Sequence, residues 1–219
     1  MDNLTEFINQ CVSNVAGKFI NDPFKYFAER DLHFELQEQF KEKYPSGPYY
    51  IHREYPVLVE NFEFGKGEVK PRKNAMIDIV VTSDNAKKEK PLLGIEMFLG
   101  KFNDEGLITV GGRTYFLTKS NLTDKKALGH LKDDYWKLNR ITPDKYLLVY
   151  FITHVFKTRS RRSERIERIS KITKALQSYT EVNQDRLIII EVIYENGIKT
   201  NRQELSLPKL KSNISLTHV

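Results

Sequence analysis

The sequence predicts an α/β fold: a central mixed β-sheet flanked by helices. Three observations point there. Stretches with apolar residues at helical spacing alternate with short runs rich in β-branched and aromatic residues. Their order is helix, helix, three strands, helix, strand, helix, strand, hairpin, and strands interleaved with helices build a sheet layered on both sides. The chain has 219 residues, 40% of them hydrophobic, which suffices for one domain with a substantial core. The expected division is a helical extension over 1–21, a core over 22–194, and a hairpin and tail over 195–219.

The first helix follows from Leu4, Phe7, Ile8, Cys11, Val12, Val15 and Phe19, which fall on one helical face. A second begins in NDPFKYFAERDLHFEL, with Asp22 as the expected N-cap and Pro23 in the first turn, and ends before YPSGP. YYIHREYPVLVENFEF alternates as a strand entering a bend or hairpin. NAMIDIVV and LLGIEMFL follow as strands, and Lys101–Asn121 reads as a Gly-rich loop or a small hairpin. Ala127, Leu128, Leu131, Tyr135 and Leu138 share a stripe on a third helix that Pro143 stops. KYLLVYFITHVF has the composition of a buried strand. Ile166, Ile169, Ile172 (or Thr173) and Leu176 mark a fourth helix. A last strand, DRLIIIEVIYE, runs into Asn196-Gly197, a hairpin turn signal.

Composition excludes several classes. No apolar stretch approaches the roughly 20 residues that span a bilayer. MDNLTEFINQ lacks the pattern of a secretory signal, so a cytoplasmic setting is expected. A single cysteine, Cys11, rules out a disulfide framework or a cysteine-rich zinc site within the chain. The five histidines, at 33, 52, 130, 154 and 218, show no metal-ligand spacing on one helix. GGRTY, at 111–115, lacks the lysine and hydroxyl residue of a phosphate-binding loop. The formal charge is +6, and the densest basic run, KTRSRRSER, offers Lys157, Arg159, Arg161 and Arg162 to an anionic partner such as nucleic acid, or simply to solvent.

The informative feature is an acid inside each of two neighbouring apolar strands: Asp78 in MIDIVV and Glu96 in GIEMFL. Strict alternation points Asp78 with Met76 and Val80, and Glu96 with Gly94 and Phe98. A buried carboxylate needs a basic partner, backbone N–H donors or a divalent cation to offset its desolvation. Structural salt bridges to Arg53, Arg72 or Lys73 would meet that need. Two acids on consecutive strands favour a shared metal. A third acid comes from the second helix, where Leu32, His33, Leu36 and Phe40 cluster on one face and Glu29 lies in the middle of that stripe, whereas Asp31 and Glu35 lie off it.

An acid in AERDLHFEL, then MIDIVV, then GIEMF resembles the PD-(D/E)xK nuclease superfamily, the restriction-endonuclease-like fold, over roughly residues 22–194. The resemblance implies a metal-dependent nuclease that hydrolyses phosphodiester bonds in DNA or RNA. Asp78, Glu96 and the backbone carbonyl of Met97 would hold Mg²⁺ or Mn²⁺, and Glu29 would complete the metal shell or orient a water. One position departs from the family pattern: Phe98 stands where its lysine falls, two residues after the Glu. Lys101 is the expected substitute, with Lys132 as another. The resemblance leaves open a homodimer, and also a nuclease-like nucleic-acid-binding module or scaffold without chemistry.

Overall fold

The computed structural model describes residues 2–59, 62–64, 68–70, 73–83, 91–142, 145–156, 162–195 and 197–199. Helix α1 (Asp2–Asn21) leads through a short 3-10 turn (Pro23–Lys25) to α2 (Glu29–Lys43). Strand β1 (Tyr50–Val59), a small hairpin of β2 (Phe62–Phe64) and β3 (Glu68–Lys70), β4 (Lys73–Thr82) and β5 (Leu93–Asn103) follow. A second hairpin, β6 (Gly106–Val110) and β7 (Arg113–Leu117), precedes the short β8 (Ser120–Asn121). The chain continues with α3 (Asp124–Ile141), β9 (Tyr146–Phe156), α4 (Arg162–Gln177), β10 (Leu187–Glu195) and β11 (Ile198–Lys199).

The main sheet runs β1-β4-β5-β9-β10-β11, with β8 attached to β5. β1, β4 and β5 are antiparallel, whereas β5, β9 and β10 are parallel, so the sheet is mixed. The parallel pairs require crossovers, and α3 and α4 supply them. β9 is buried along its whole length, as its central position dictates.

Helices cover both faces. On one, α1 and α2 bury Ile8, Val12, Val15, Phe19, Leu32 and Leu36 against Ile79, Ile95, Met97, Val149 and Phe151. On the other, α3 and α4 bury Ala127, Leu131, Leu138, Ile172 and Leu176 against Ile77, Val80, Phe98, Leu148 and Tyr150. The first helix is therefore part of the main core. Among the described residues, no helix is long and apolar enough to cross a membrane.

Two local expectations need correcting. Asp22 caps only the 3-10 turn and makes no side-chain capping bond. The true start of α2 is Glu29, because Asp31 Oδ2 accepts the N–H groups of Phe27 and Ala28 and closes the helix end there. The strand expected to end at Leu99 runs further: β5 continues to Asn103, held by β9 through Asn103↔Val155 and by β8 through Phe102↔Asn121. The small hairpin that the sequence allowed in this stretch is β6-β7, turned by Gly111 and Gly112 at φ 57° and 77°.

Candidate functional site: an acid cluster where two strands part

β4 and β5 pair at Val81↔Leu93, Val80↔Gly94 and Ile79↔Ile95, and the register stops there. The next residues along each strand are Asp78 and Glu96. Departure of β4 strips the outward N–H groups of β5 of strand partners, and such donors must be satisfied. Carboxylates satisfy them. The Met97 N–H donates to Asp78 Oδ2 at 2.7 Å, and the Leu99 N–H donates to Glu29 Oε1 at 3.2 Å. The acids thus stand where the ladder opens, and α2 delivers the second of them across the gap.

Strict alternation fails locally at Asp78. Ile77 and Val80 both pack toward α3, while Ile79 packs toward α2. Glu54, opposite Asp78 on β1 between the pairs Arg53↔Ile79 and Tyr55↔Ile77, has φ 49°. A left-handed residue interrupts the pleat, and the Asp78 side chain is free to turn into the gap. Glu96 keeps its expected face, shared with Gly94 and Phe98. A Cβ on Gly94 would meet Leu138 and Thr142 of α3 at 2.7 Å, so this glycine lets the helix sit close over β5.

That close approach brings two residues absent from the expected set. Lys137 Nζ lies 2.7 Å from Glu96 Oε1 and 3.1 Å from Asp134 Oδ1, and it donates to the Met76 carbonyl at 3.3 Å. The Tyr150 hydroxyl donates to Asp134 Oδ2 at 2.7 Å. Glu96 is 2% exposed, and its Oε1 has an ion-pair neighbour but no aligned hydrogen-bond donor. His33, one turn after Glu29 on α2, places Nε2 3.4 Å from Asp78 Oδ2, also without hydrogen-bond alignment.

The electrostatics follow from burial and unequal charge. Four carboxylates (Glu29, Asp78, Glu96 and Asp134) interact, and Lys137 is the ammonium among them. Burial pushes Glu96 well above the usual carboxylate range; Asp78 and Asp134 add to the rise, and Lys137 opposes it. Burial likewise raises Asp134 and Glu29. Burial would raise Asp78 too, but His33, the Met97 N–H and Lys137 outweigh it and hold Asp78 low. Lys137 loses charge stability through burial, yet Glu96 and Asp134 more than restore it and keep the ammonium protonated far above neutrality.

Asp78 and Glu29 thus both reach the open edge of β5, at Met97 and Leu99, and Glu96 lies close enough to feel the charge of Asp78. Lys101 does not join them. β5 stays extended, so Lys101 shares the α2 face with Met97 and Leu99, opposite Glu96. Its Nζ donates to the carbonyls of Tyr26 and Phe27 at 3.0 and 3.1 Å, tying the approach to α2 onto the strand. Lys132 lies over the Tyr179 ring, 5.5 Å from its centroid. Glu35 is engaged by Lys18 and Lys25, away from the sheet. Phe98 packs against His130 and Tyr150 at ring-centroid distances of 4.8 and 5.0 Å, so no cation fits at that position without displacing core. Arg53 lies over Phe34, not on an acid. Arg72, Lys157, Arg159 and Arg161 lie outside the described residues, as do the side chains of Lys73 and Arg162.

A signal for the missed pair was present. Leu131, Asp134 and Leu138 stand at i, i+3 and i+7, so Asp134 sits in the middle of the buried stripe of α3, and an acid there demands a partner. Lys137, at i+3 from Asp134, is within its reach.

As they stand, no three His, Cys, Asp or Glu side chains among the described residues are arranged to hold a metal ion. The donor chemistry nevertheless suits a hard divalent cation: Asp78, Glu96 and the Met97 carbonyl are oxygen donors, and Glu96 Oε1 lacks an aligned donor. The chain matches no protein-family model, no curated protein and no solved structure.

Proposed function

We propose that the protein is a metal-dependent nuclease with a restriction-endonuclease-like core, acting on phosphodiester bonds of DNA or RNA. The observation that carries this reading is the pairing of Glu96 with Lys137 at the parting of β4 and β5: an acid, a second acid on the next strand and an ammonium meet at one point. Asp78, Glu96 and the Met97 carbonyl would hold Mg²⁺ or Mn²⁺. Such an ion, when bound, lowers the pKa of its water and offsets charge on a scissile phosphate.

The chain's own residues supply the rest. Lys137 brings a fixed positive charge to the place where phosphate charge would develop, in a site partly closed to water, where such a charge acts strongly. Glu29 is held by the Leu99 N–H and faces the same gap, which suits it to orient a water. The net charge of +6 favours an anionic polymer as partner. The order of elements from α2 to β10 supports the nuclease-like core.

The test is cleavage of labelled DNA and RNA, single-stranded and duplex, with Mg²⁺ or Mn²⁺. The parent should cut at least one substrate, and Asp78→Ala and Lys137→Ala should not. A parent that cuts none of them with either metal would defeat the reading. A second reading then takes its place, a nucleic-acid-binding module or scaffold of the same architecture. The observation favouring it is the same ion pair: Lys137 already neutralises Glu96, so the pair can stand as a purely structural contact.

A further inference from the structure

We infer that Asp134 and Tyr150 are positioning residues that hold the Lys137 ammonium in line with Glu96, an inference that rests on the proposed role of Lys137. Three elements build the arrangement. Tyr150 rises from β9, Asp134 and Lys137 descend from α3, and Glu96 faces them from β5.

The geometry divides the labour between the two oxygens of Asp134. Oδ2 accepts the Tyr150 hydroxyl at 2.7 Å, and Oδ1 lies 3.1 Å from Lys137 Nζ. Tyr150 is fully buried, its ring packed on Phe98, so its hydroxyl cannot swing away. Its bond therefore fixes the plane of the Asp134 carboxylate. The fixed carboxylate in turn fixes one side of the ammonium, whose other sides meet Glu96 Oε1 at 2.7 Å and the Met76 carbonyl at 3.3 Å. A lysine has a long flexible stem, and without such anchors its ammonium samples many rotamers. Phe98 shares the β5 face with Glu96, so the same residue that excludes a strand lysine braces the tyrosine that places the helix lysine.

The direct test is the lysine ammonium signal in ¹H–¹⁵N nuclear magnetic resonance, assigned to Lys137 by its loss in Lys137→Arg. A tethered, shielded ammonium exchanges its protons slowly and is visible. The signal should be present in the parent, lost in Asp134→Asn, weakened in Tyr150→Phe, and unchanged in Tyr135→Phe. Tyr150→Phe keeps the packed ring, so it gives the same reading should Asp134→Asn not fold. A parent without a protected Lys137 signal, or a Tyr150→Phe signal equal to that of the parent, overturns the inference. On a cleavable substrate, Tyr150→Phe should lower kcat about ten- to hundredfold with KM nearly unchanged. Equal kcat also overturns it. Should neither the parent nor any variant cleave nucleic acid while the ammonium responds as stated, the nuclease reading fails and the positioning relation stands.

Discussion

Lys137 Nζ stands 2.7 Å from Glu96 Oε1, so the cation that β5 lacks at Phe98 reaches its carboxylate from α3. Lys137→Met should cut cleavage by about a hundredfold if the ammonium stabilises developing phosphate charge. It should also lower stability by about 3–5 kcal/mol, because it leaves buried acids without their cation. Lys137→Met combined with Glu96→Gln should recover much of the stability and none of the activity. Chemical denaturation and a cleavage assay on the same preparations check both parts.

Lys101→Ala should leave the chemistry largely intact. Its Nζ is spent on the carbonyls of Tyr26 and Phe27, so the loss belongs to stability, about 1–3 kcal/mol for hydrogen bonds from a charged donor. A fall in cleavage as large as that of Lys137→Met, at unchanged melting temperature, would reverse the assignment of the two lysines.

Glu29→Gln retains an oxygen for the Leu99 N–H and removes the charge, so its fold should stand while cleavage drops at least about tenfold. Glu35→Gln should cost less than about 1 kcal/mol and no activity, because among the described residues that acid pairs with the exposed lysines Lys18 and Lys25. Comparing the two variants by initial rate and thermal melting separates a site residue from a surface one.

Gly94→Ala should act on the site through packing. The added methyl would meet Leu138 and Thr142 at 2.7 Å and lift α3 from β5, carrying Asp134 and Lys137 with it. We expect a loss of about 1–3 kcal/mol and a fall in cleavage. Calorimetry with Mn²⁺ on Asp78→Asn against the parent tests the metal directly, the variant being expected to bind more weakly.

The N-terminus of α2 should carry an acid-sensitive contribution. The Ala28 N–H holds the Asp31 carboxyl below its ordinary value; burial opposes it, and the Phe27 N–H adds to the lowering. A depressed folded pKa means that the stabilisation is complete above the unfolded value of about 3.9 and is lost as pH falls through the lower folded value. Asp31→Ala should cost about 1 kcal/mol near neutrality, and its difference from the parent should vanish in that acid range. A difference that persists unchanged below that range would show that the loss does not come from the ionised carboxylate.

The sequence by itself determined the elements and the three acids that reach the gap. Apolar periodicity placed Glu29, not Glu35, toward the sheet, and one carboxylate in each of two apolar strands marked Asp78 and Glu96, because a buried charge must be matched. Those are local properties of a helix face and a strand. Only the tertiary structure decided the cation. Lys101 looked close because β5 was expected to end near Leu99, but pairing with β9 carries the strand to Asn103 and leaves Lys101 on the opposite face. Lys137 reaches Glu96 because α3 lies close over Gly94, a distance set by packing between elements far apart in the chain. The turn of Asp78 into the gap likewise depends on Glu54 in the neighbouring strand, whose left-handed backbone opens the pleat opposite it.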